Sequence, residues 1–208
     1  MVDEAGFEDC KIVASNSLDE FIIRDLIINQ KAQIDIFGVG ERLITSKSEP
    51  VFGGVYKLVA IDDEEGNRIP KIKISENVIK VTNPDFKKVY RLYDKTSGKA
   101  IADVLTLRDE EIDDSRDYEI FDPVHTWKRK RICNFEAREL QVQIFKKGKC
   151  IYKNPSIEEI RDYCKTEIDR LWDEVKRFEY PHKYYVDLSP KLWAVKSNLL
   201  NKHSYTSI

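Results

Sequence analysis

The chain has 208 residues, of which 41% are hydrophobic and 35% are charged, a balance typical of a folded globular protein. Its 35 lysine and arginine residues nearly balance 37 aspartate and glutamate residues, so a formal net charge of -2 provides no overall basic surface for nucleic acid or an anionic membrane. The longest apolar runs are only strand-length, and the first residues lack the pattern of a signal peptide, so we expect neither a nucleic-acid partner nor a membrane partner.

Residues 1–50 form the first predicted domain and have the pattern of consecutive strand and helix units. We expect a helix turn closed by Gly6, strands over 11–14 and 33–37, an amphipathic helix over 18–29 and a short helix over 41–44. This spacing is that of a parallel sheet or an α/β barrel. Two such units do not close an eight-stranded barrel, so we expect the chain to be a fragment that lacks a larger amino-terminal part.

A polar or glycine-containing turn follows each of these two predicted strands. The turn residues are Ser15, Asn16 and Ser17 after the first strand, and Gly38, Val39 and Gly40 after the second. Glycines let the backbone approach a ligand closely, and the helix that starts after Gly40 favours an anion, so the two turns together predict a phosphate site. An ordinary tight connection between a strand and a helix is the alternative that the Gly-x-Gly spacing leaves open.

Acidic residues at the start of the helix over 18–29 have two interpretations. Ser15, Asn16 or Ser17 is expected to cap this helix, with Asp19 in its first turn, where a carboxylate complements the helix dipole. Beside a ligand turn, Asp19 could instead bind ribose hydroxyls or a magnesium ion. We identify no catalytic residue and no metal-ligand spacing elsewhere in the sequence, so an enzyme built with this chain would work mainly by positioning phosphates and a sugar.

The remainder of the chain predicts three further segments. A β-rich region covers 51–107, with strands over 55–61, 71–74, 88–93 and 100–107. An acidic, loop-like linker covers 108–123. The C-terminal domain over 124–208 is expected to contain a β-hairpin around 140–152, a long helix that starts at Ser156 with Glu159 as its capping-box partner and ends at Pro181, and a last helix over 189–201.

Two features favour a structural interpretation over a functional one. The basic run over 128–131 could bind nucleic acid, but acidic residues on both sides favour a strand edge whose charges are solvated or paired. Trp127, Trp172 and Trp193 are expected to anchor the packing of the core or of the subdomains. The four cysteines have no paired spacing, which indicates reduced thiols in a cytoplasmic protein.

Four stretches of the sequence resemble the nicotinate phosphoribosyltransferase family. They are Lys-Ile-Val-Ala-Ser-Asn-Ser-Leu-Asp-Glu over 11–20, Ile-Asp-Ile-Phe-Gly-Val-Gly-Glu-Arg-Leu-Ile-Thr over 34–45, Pro-Val-Phe-Gly-Gly-Val-Tyr-Lys-Leu-Val over 50–59 and Tyr-Val-Asp-Leu-Ser-Pro-Lys-Leu-Trp over 185–193. The resemblance implies a mixed fold, α/β plus α+β: the last βα units of an incomplete type II phosphoribosyltransferase barrel, a β-rich region and a helical C-terminal domain.

The resemblance also implies an activity. The family joins nicotinate to phosphoribosyl pyrophosphate to form nicotinate mononucleotide in NAD biosynthesis, with ATP hydrolysis and magnesium, in a homodimer. Gly38, Val39 and Gly40 would hold the ribose 5′-phosphate together with the turn over 15–17. Many relatives have threonine where this chain has Glu41, which puts a side-chain contact there in doubt and leaves the backbone contacts intact.

By the resemblance, the family's phosphorylated histidine and the residues that seat nicotinate lie in upstream parts that this sequence does not contain, so we expect this chain alone to be inactive. The alternative from a different class is a non-catalytic binding or assembly module that packs on a partner chain.

Overall fold

The computed structural model describes residues 2–46, 50–51 and 53–204, and the chain divides into two units, Met1–Tyr56 and Lys57–Ile208. Each unit contains its own strands and helices. Within the described ranges, no helix has both the length and the apolar content needed to cross a membrane.

The first unit is built on two parallel strands. A 3-10 turn, Asp3–Ala5, ends at Gly6, whose φ of 83° is left-handed. Strand β1, Val13–Ser15, pairs in parallel with β2, Ile36–Gly38, so that Ser15 lies opposite Gly38. Between them lie helix α1, Glu20–Arg24, and its continuation as a π-helical turn, Asp25–Asn29, and helix α2, Glu41–Thr45, follows β2. The predicted order of strands and helices is confirmed in this unit.

The predicted cap of the first helix is wrong. Asp19, not a residue of the 15–17 turn, is the N-cap of α1, because its carboxylate accepts a hydrogen bond of 2.9 Å from the Ile22 backbone N–H. An N-cap residue needs extended backbone, and Asp19 has φ −136° and ψ 176°. Asn16 and Ser17 instead have left-handed φ values of 90° and 50°.

The second unit contains a four-stranded sheet in the order β12-β6-β5-β9. Strands β5, Lys87–Asp94, and β6, Ala100–Leu107, form an antiparallel hairpin, as predicted. Strand β9, Phe135–Glu139, pairs antiparallel with β5, and β12, Val186–Leu188, pairs in parallel with β6. The sheet therefore unites residues that are distant in sequence.

The hydrophobic core lies between this sheet and a two-stranded ribbon. The ribbon consists of β7, Tyr118–Phe121, and β8, Arg129–Ile132, in antiparallel pairing. The core cluster comprises Tyr90, Leu92, Ala102, Val104, Ile120, Ile132 and Phe135. The linker predicted over 108–123 is loop-like over 108–117, but it is wrong at residues 118–121, which form β7. The adjacent residues Ile120 and Phe121 are both buried, so this four-residue strand has no alternating pattern that the sequence could reveal.

Shorter elements complete the second unit. Two hairpins pair β3, Ala60–Asp62, with β4, Arg68–Pro70, and β10, Phe145–Lys146, with β11, Lys149–Cys150. The strands predicted over 55–61 and 140–145 are thus much shorter, and the strand predicted over 71–74 is not formed. A 3-10 turn, Val78–Lys80, precedes β5.

Two helices end the chain. Helix α3, Ile157–Asp169, has the predicted capping box, in which Ser156 and Glu159 each bind the other's backbone N–H. It stops well before Pro181, and a turn over 170–176 follows. Helix α4, Pro190–Ser204, matches the predicted last helix, while residues 205–208 of the predicted C-terminal domain lie outside the described part.

The basic run lies on the exposed edge of the ribbon. Arg129 pairs with Glu119 and Arg131 pairs with Asp117, while Lys128 and Lys130 are exposed, so the interpretation as a strand edge with solvated or paired charges is confirmed. Of the tryptophans, Trp193 packs edge-on against Phe121 at 6.0 Å between ring centroids. Trp127 is 73% exposed, so the prediction that it anchors packing is wrong.

Candidate functional site

The two predicted turns line one cavity in the first unit. The parallel register places Ser15 beside Gly38, at the carboxyl ends of β1 and β2. The cavity has a volume of about 380 Å³ and is lined by Ser15, Asn16, Ser17, Gly38, Val39, Gly40 and Glu41. The geometry thus brings together all six residues predicted from the sequence, whereas their binding of phosphate stays a prediction.

A side chain at residue 38 would crowd the end of the neighbouring strand. A Cβ atom at Gly38 would lie 3.2 Å from the Ser15 Oγ and 3.7 Å from the Ala14 carbonyl oxygen. The Ser15 hydroxyl donates a long hydrogen bond of 3.4 Å to the Gly38 carbonyl oxygen. The first turn continues through left-handed Asn16 and Ser17, a backbone form in which successive N–H groups can face one concavity.

The second turn leads directly into α2. Gly40 is its N-cap, and the Gly40 carbonyl oxygen accepts hydrogen bonds from the N–H groups of Leu43 and Ile44 at 3.0 and 3.2 Å. N–H groups in the first turn of a helix have no partner within the helix, so those near Gly40 are available to an anion at this edge. The exposed Glu41 carboxylate also lines the cavity, and its charge opposes anion binding.

Asp19 lies outside the cavity lining and already has two partners. One oxygen accepts the Ile22 N–H, and the other pairs closely with the Arg42 guanidinium. The hydrogen bond from Ile22 and the pairing with Arg42 lower the pKa of Asp19 below its ordinary value. Each Asp19 oxygen thus has one partner and keeps a second lone pair, so a ribose or magnesium role for Asp19 stays a prediction.

Arg42 is the site-proximal residue that the sequence analysis missed. Its partner Asp19 caps α1, so the ion pair ties the start of one helix to α2 next to the cavity. The two residues are 23 positions apart, and no local spacing rule pairs them. The sequence offered one signal for Arg42, a basic residue two positions after the Gly-x-Gly turn. Basic residues are common on helix surfaces, so this signal does not predict the ion pair with Asp19.

Metal ligation has little support from the side chains of this chain. Across the described ranges, no group of three or more histidine, cysteine, aspartate or glutamate residues is placed to hold a metal ion. Magnesium is usually bound by one or two carboxylates together with substrate phosphates, so magnesium binding at Asp19 stays a prediction.

Comparison with known proteins gives consistent results. Residues 86–196 match the family model described as nicotinate phosphoribosyltransferase C-terminal domain. The chain is 44% identical over 202 residues to a nicotinate phosphoribosyltransferase of Bacillus subtilis (strain 168), covering 97% of this chain and 41% of that protein. It is 35% identical over 189 residues to the Caenorhabditis elegans protein of the same name, covering 90% of this chain and 32% of that protein.

A solved structure also has a similar fold. The crystal structure of human nicotinic acid phosphoribosyltransferase aligns with a TM-score of 0.70 and 23% identity, over 95% of this chain and 36% of that chain. The chain therefore spans from 32% to 41% of the length of these relatives.

Proposed function

Because this chain belongs to the nicotinate phosphoribosyltransferase family, we propose that it forms part of such an enzyme and contributes the turns that bind the ribose 5′-phosphate. The observation that supports this role is the parallel register of Ser15 and Gly38, which brings the turns 15–17 and 38–40 around one cavity. We assign the first unit to the end of the family's α/β barrel.

The proposed reaction joins nicotinate to phosphoribosyl pyrophosphate and releases pyrophosphate, within NAD biosynthesis. The 5′-phosphate does not react, so binding it serves to position the sugar. Interactions with a non-reacting group hold C1 of the ribose where the nicotinate nitrogen can attack, which lowers the entropic part of the barrier. In this account the N–H groups of Val39 and Gly40 donate to the phosphate. Arg42 acts indirectly, because its ion pair with Asp19 positions α2 beside the cavity.

ATP and magnesium belong to the proposal for the intact enzyme only. When bound, they would supply the energy coupling and the neutralisation of the pyrophosphate. In our account the phosphate-binding turns of this chain contact neither of them.

A substitution at Gly38 tests the phosphate assignment. In the intact enzyme, Gly38→Val is expected to raise the KM for phosphoribosyl pyrophosphate by about tenfold or more, because the new side chain meets Ser15 and separates the two turns. Gly54→Val is the matched control, since a Cβ at Gly54 meets nothing within 4 Å. Equal KM values for the two variants would contradict the assignment.

We further propose that this chain is inactive by itself. The support is its share of the relatives' length, from 32% to 41%. The assay mixes the purified chain with nicotinate, phosphoribosyl pyrophosphate, ATP and magnesium, and we expect no nicotinate mononucleotide. Turnover by the chain alone would contradict this part of the proposal.

The alternative of a non-catalytic assembly module also has an observation in its favour. Apolar side chains along α3 are exposed, with Ile157 at 71%, Ile160 at 51% and Tyr163 at 62%. Such a face favours packing on another chain or another part of the same protein. In the intact enzyme, we propose that this face of α3 is buried within a homodimer.

The location we propose for the protein is the cytoplasm, which agrees with four exposed cysteines that form no disulfide.

A further inference from the structure

We propose that residues 57–208 contain a further binding site, a cavity that takes a nucleoside phosphate. The cavity has a volume of about 780 Å³ and lies among the ribbon β7 and β8, the turn after α3 and the segment that leads into β12. Small-molecule sites typically have volumes of roughly 300–1,000 Å³. Its polar groups include one buried carboxylate, Asp187, and three exposed lysines.

Asp187 stands where the sheet otherwise carries apolar side chains. It is 3% exposed, and it is the register partner of Val104, which is fully buried in the core cluster. Among the residues that the structure describes, none donates a hydrogen bond to its carboxylate. Among the described residues, no fully buried side-chain oxygen or nitrogen lacks a hydrogen-bond partner, so the Asp187 oxygens that have no protein donor face the cavity, where water or a bound molecule supplies their hydrogen bonds. Asp187 lines the cavity, so a ligand can reach it.

The carboxylate is suited to accept hydrogen bonds from hydroxyl or amino groups. Burial, together with the neighbouring charge of Asp122, raises the pKa of Asp187 to about 6, which leaves it mostly ionised at neutral pH. Asp122 is not free for the same task, because it accepts the N–H groups of Val124 and His125 at 2.8 and 2.9 Å. Ribose hydroxyls are the donors that protein carboxylates commonly bind in nucleotide sites.

The cavity also contains lysines that have no close ion-pair partner among the described residues, although Asp94 and Glu174 line it as well and Lys130 interacts electrostatically with Asp94. Arg129 and Arg131 are neutralised by carboxylates of β7 and the residue before it. In the described part of the chain, by contrast, no carboxylate forms an ion pair with the three cavity lysines, Lys128, Lys130 and Lys183. Lysine ammonium groups are common partners of phosphate oxygens.

Part of the remaining wall is apolar or aromatic and matches a nucleobase, while Asp94, Glu174 and His182 line other parts of it. Phe121, Ile132, Trp172 and Val175 line the cavity, and the Trp172 side chain is 45% exposed. Aromatic and aliphatic walls contact the faces of a planar base. A simple amino acid would match Asp187 and a lysine but would leave these walls without a partner. A base, a ribose and a phosphate together use all three features.

Calorimetric titration of the 208-residue chain with AMP, adenosine and inorganic phosphate tests the site. We expect saturable one-to-one binding of AMP, with adenosine and phosphate each weaker by about tenfold or more. Asp187→Leu is expected to weaken AMP binding by at least about tenfold without lowering the unfolding midpoint, because it removes a buried charge. The double variant Lys130→Gln and Lys183→Gln is expected to weaken AMP but not adenosine.

Matched controls separate this site from the turns of the first unit. Asp173→Asn alters an exposed carboxylate outside the cavity and is expected to leave AMP binding unchanged. Gly38→Val disrupts the first-unit turns and is likewise expected to leave AMP binding unchanged. The AMP-site proposal and the proposal for the phosphate-binding turns can therefore fail independently of each other. The proposal is overturned if the folded chain does not bind AMP, if Asp187→Leu binds it normally, or if Gly38→Val abolishes binding.

Discussion

Asp187 carries a carboxyl group whose protonation is coupled to folding. Its pKa rises from 3.8 to about 6 in the folded chain, because burial penalises the charge and Asp122 repels it, while Lys183 opposes the shift. Tyr118 also faces it, with a hydroxyl that burial keeps protonated to a pKa of about 12. The folded state therefore binds more protons than the unfolded state between the two pKa values of Asp187. The contribution of Asp187 to the free energy of unfolding therefore falls as pH rises from about 4 to about 6 and then stays constant.

Replacing Asp187 with asparagine should remove this dependence. At neutral pH, we expect Asp187→Asn to raise the free energy of unfolding by about 1–3 kcal/mol, since the ionised group no longer has to be buried. At acidic pH, where the native carboxyl is protonated, the gain should nearly vanish. Urea unfolding of both proteins across this pH range measures the difference, and an equal gain at every pH would contradict the assigned cause.

At the scale of elements, the packing of helix α3 on the sheet depends on the Glu167 carboxylate more than on buried apolar surface. The helix has no fully buried residue. Near its end, the Glu167 carboxylate accepts hydrogen bonds from Arg138 at 2.6 Å, from the Tyr93 hydroxyl at 3.0 Å and from Arg91 at 3.3 Å. Burial by itself would raise the pKa of Glu167, but these donors lower it on balance. Two strands of the sheet are thereby tied to the helix.

Loss of this contact should destabilise the second unit. Glu167→Ala leaves partly buried arginines without their shared partner, so we expect a loss of about 1–3 kcal/mol in the free energy of unfolding. Glu158→Ala, at an exposed position in the first turn of the same helix, serves as the control and should change stability much less. The outcome that contradicts this account is an equal loss for both variants in denaturant titrations.

Local signals predicted the elements whose formation depends on neighbours in sequence. The capping box at Ser156, the hairpin of β5 and β6 and the strands before each turn of the first unit all appear in the structure. Strands β9 and β12 escaped prediction because their pairing partners, β5 and β6, lie far away in sequence. The same holds for the pair of Asp19 and Arg42. Short strands and long-range ion pairs are decided by tertiary contacts, which no local pattern encodes.

At the scale of the whole molecule, the chain belongs to the nicotinate phosphoribosyltransferase family and covers a minor share of its relatives' length. It spans from 32% to 41% of its relatives, and residues 86–196 match the family's C-terminal domain. That the six turn residues lie together could be predicted from the sequence, because each turn directly follows a strand and the carboxyl ends of parallel strands meet at one edge. The chemistry on the sugar could not, since the sequence offers no acid and base pair to assign.

The position of the 5′-phosphate in the intact enzyme is the most direct test of the central claim. A crystal structure with nicotinate mononucleotide bound should place the phosphate oxygens within hydrogen-bonding distance of the backbone nitrogens of Val39 and Gly40, beside the turn over 15–17. A phosphate bound elsewhere, with no contact to either turn, would contradict the account.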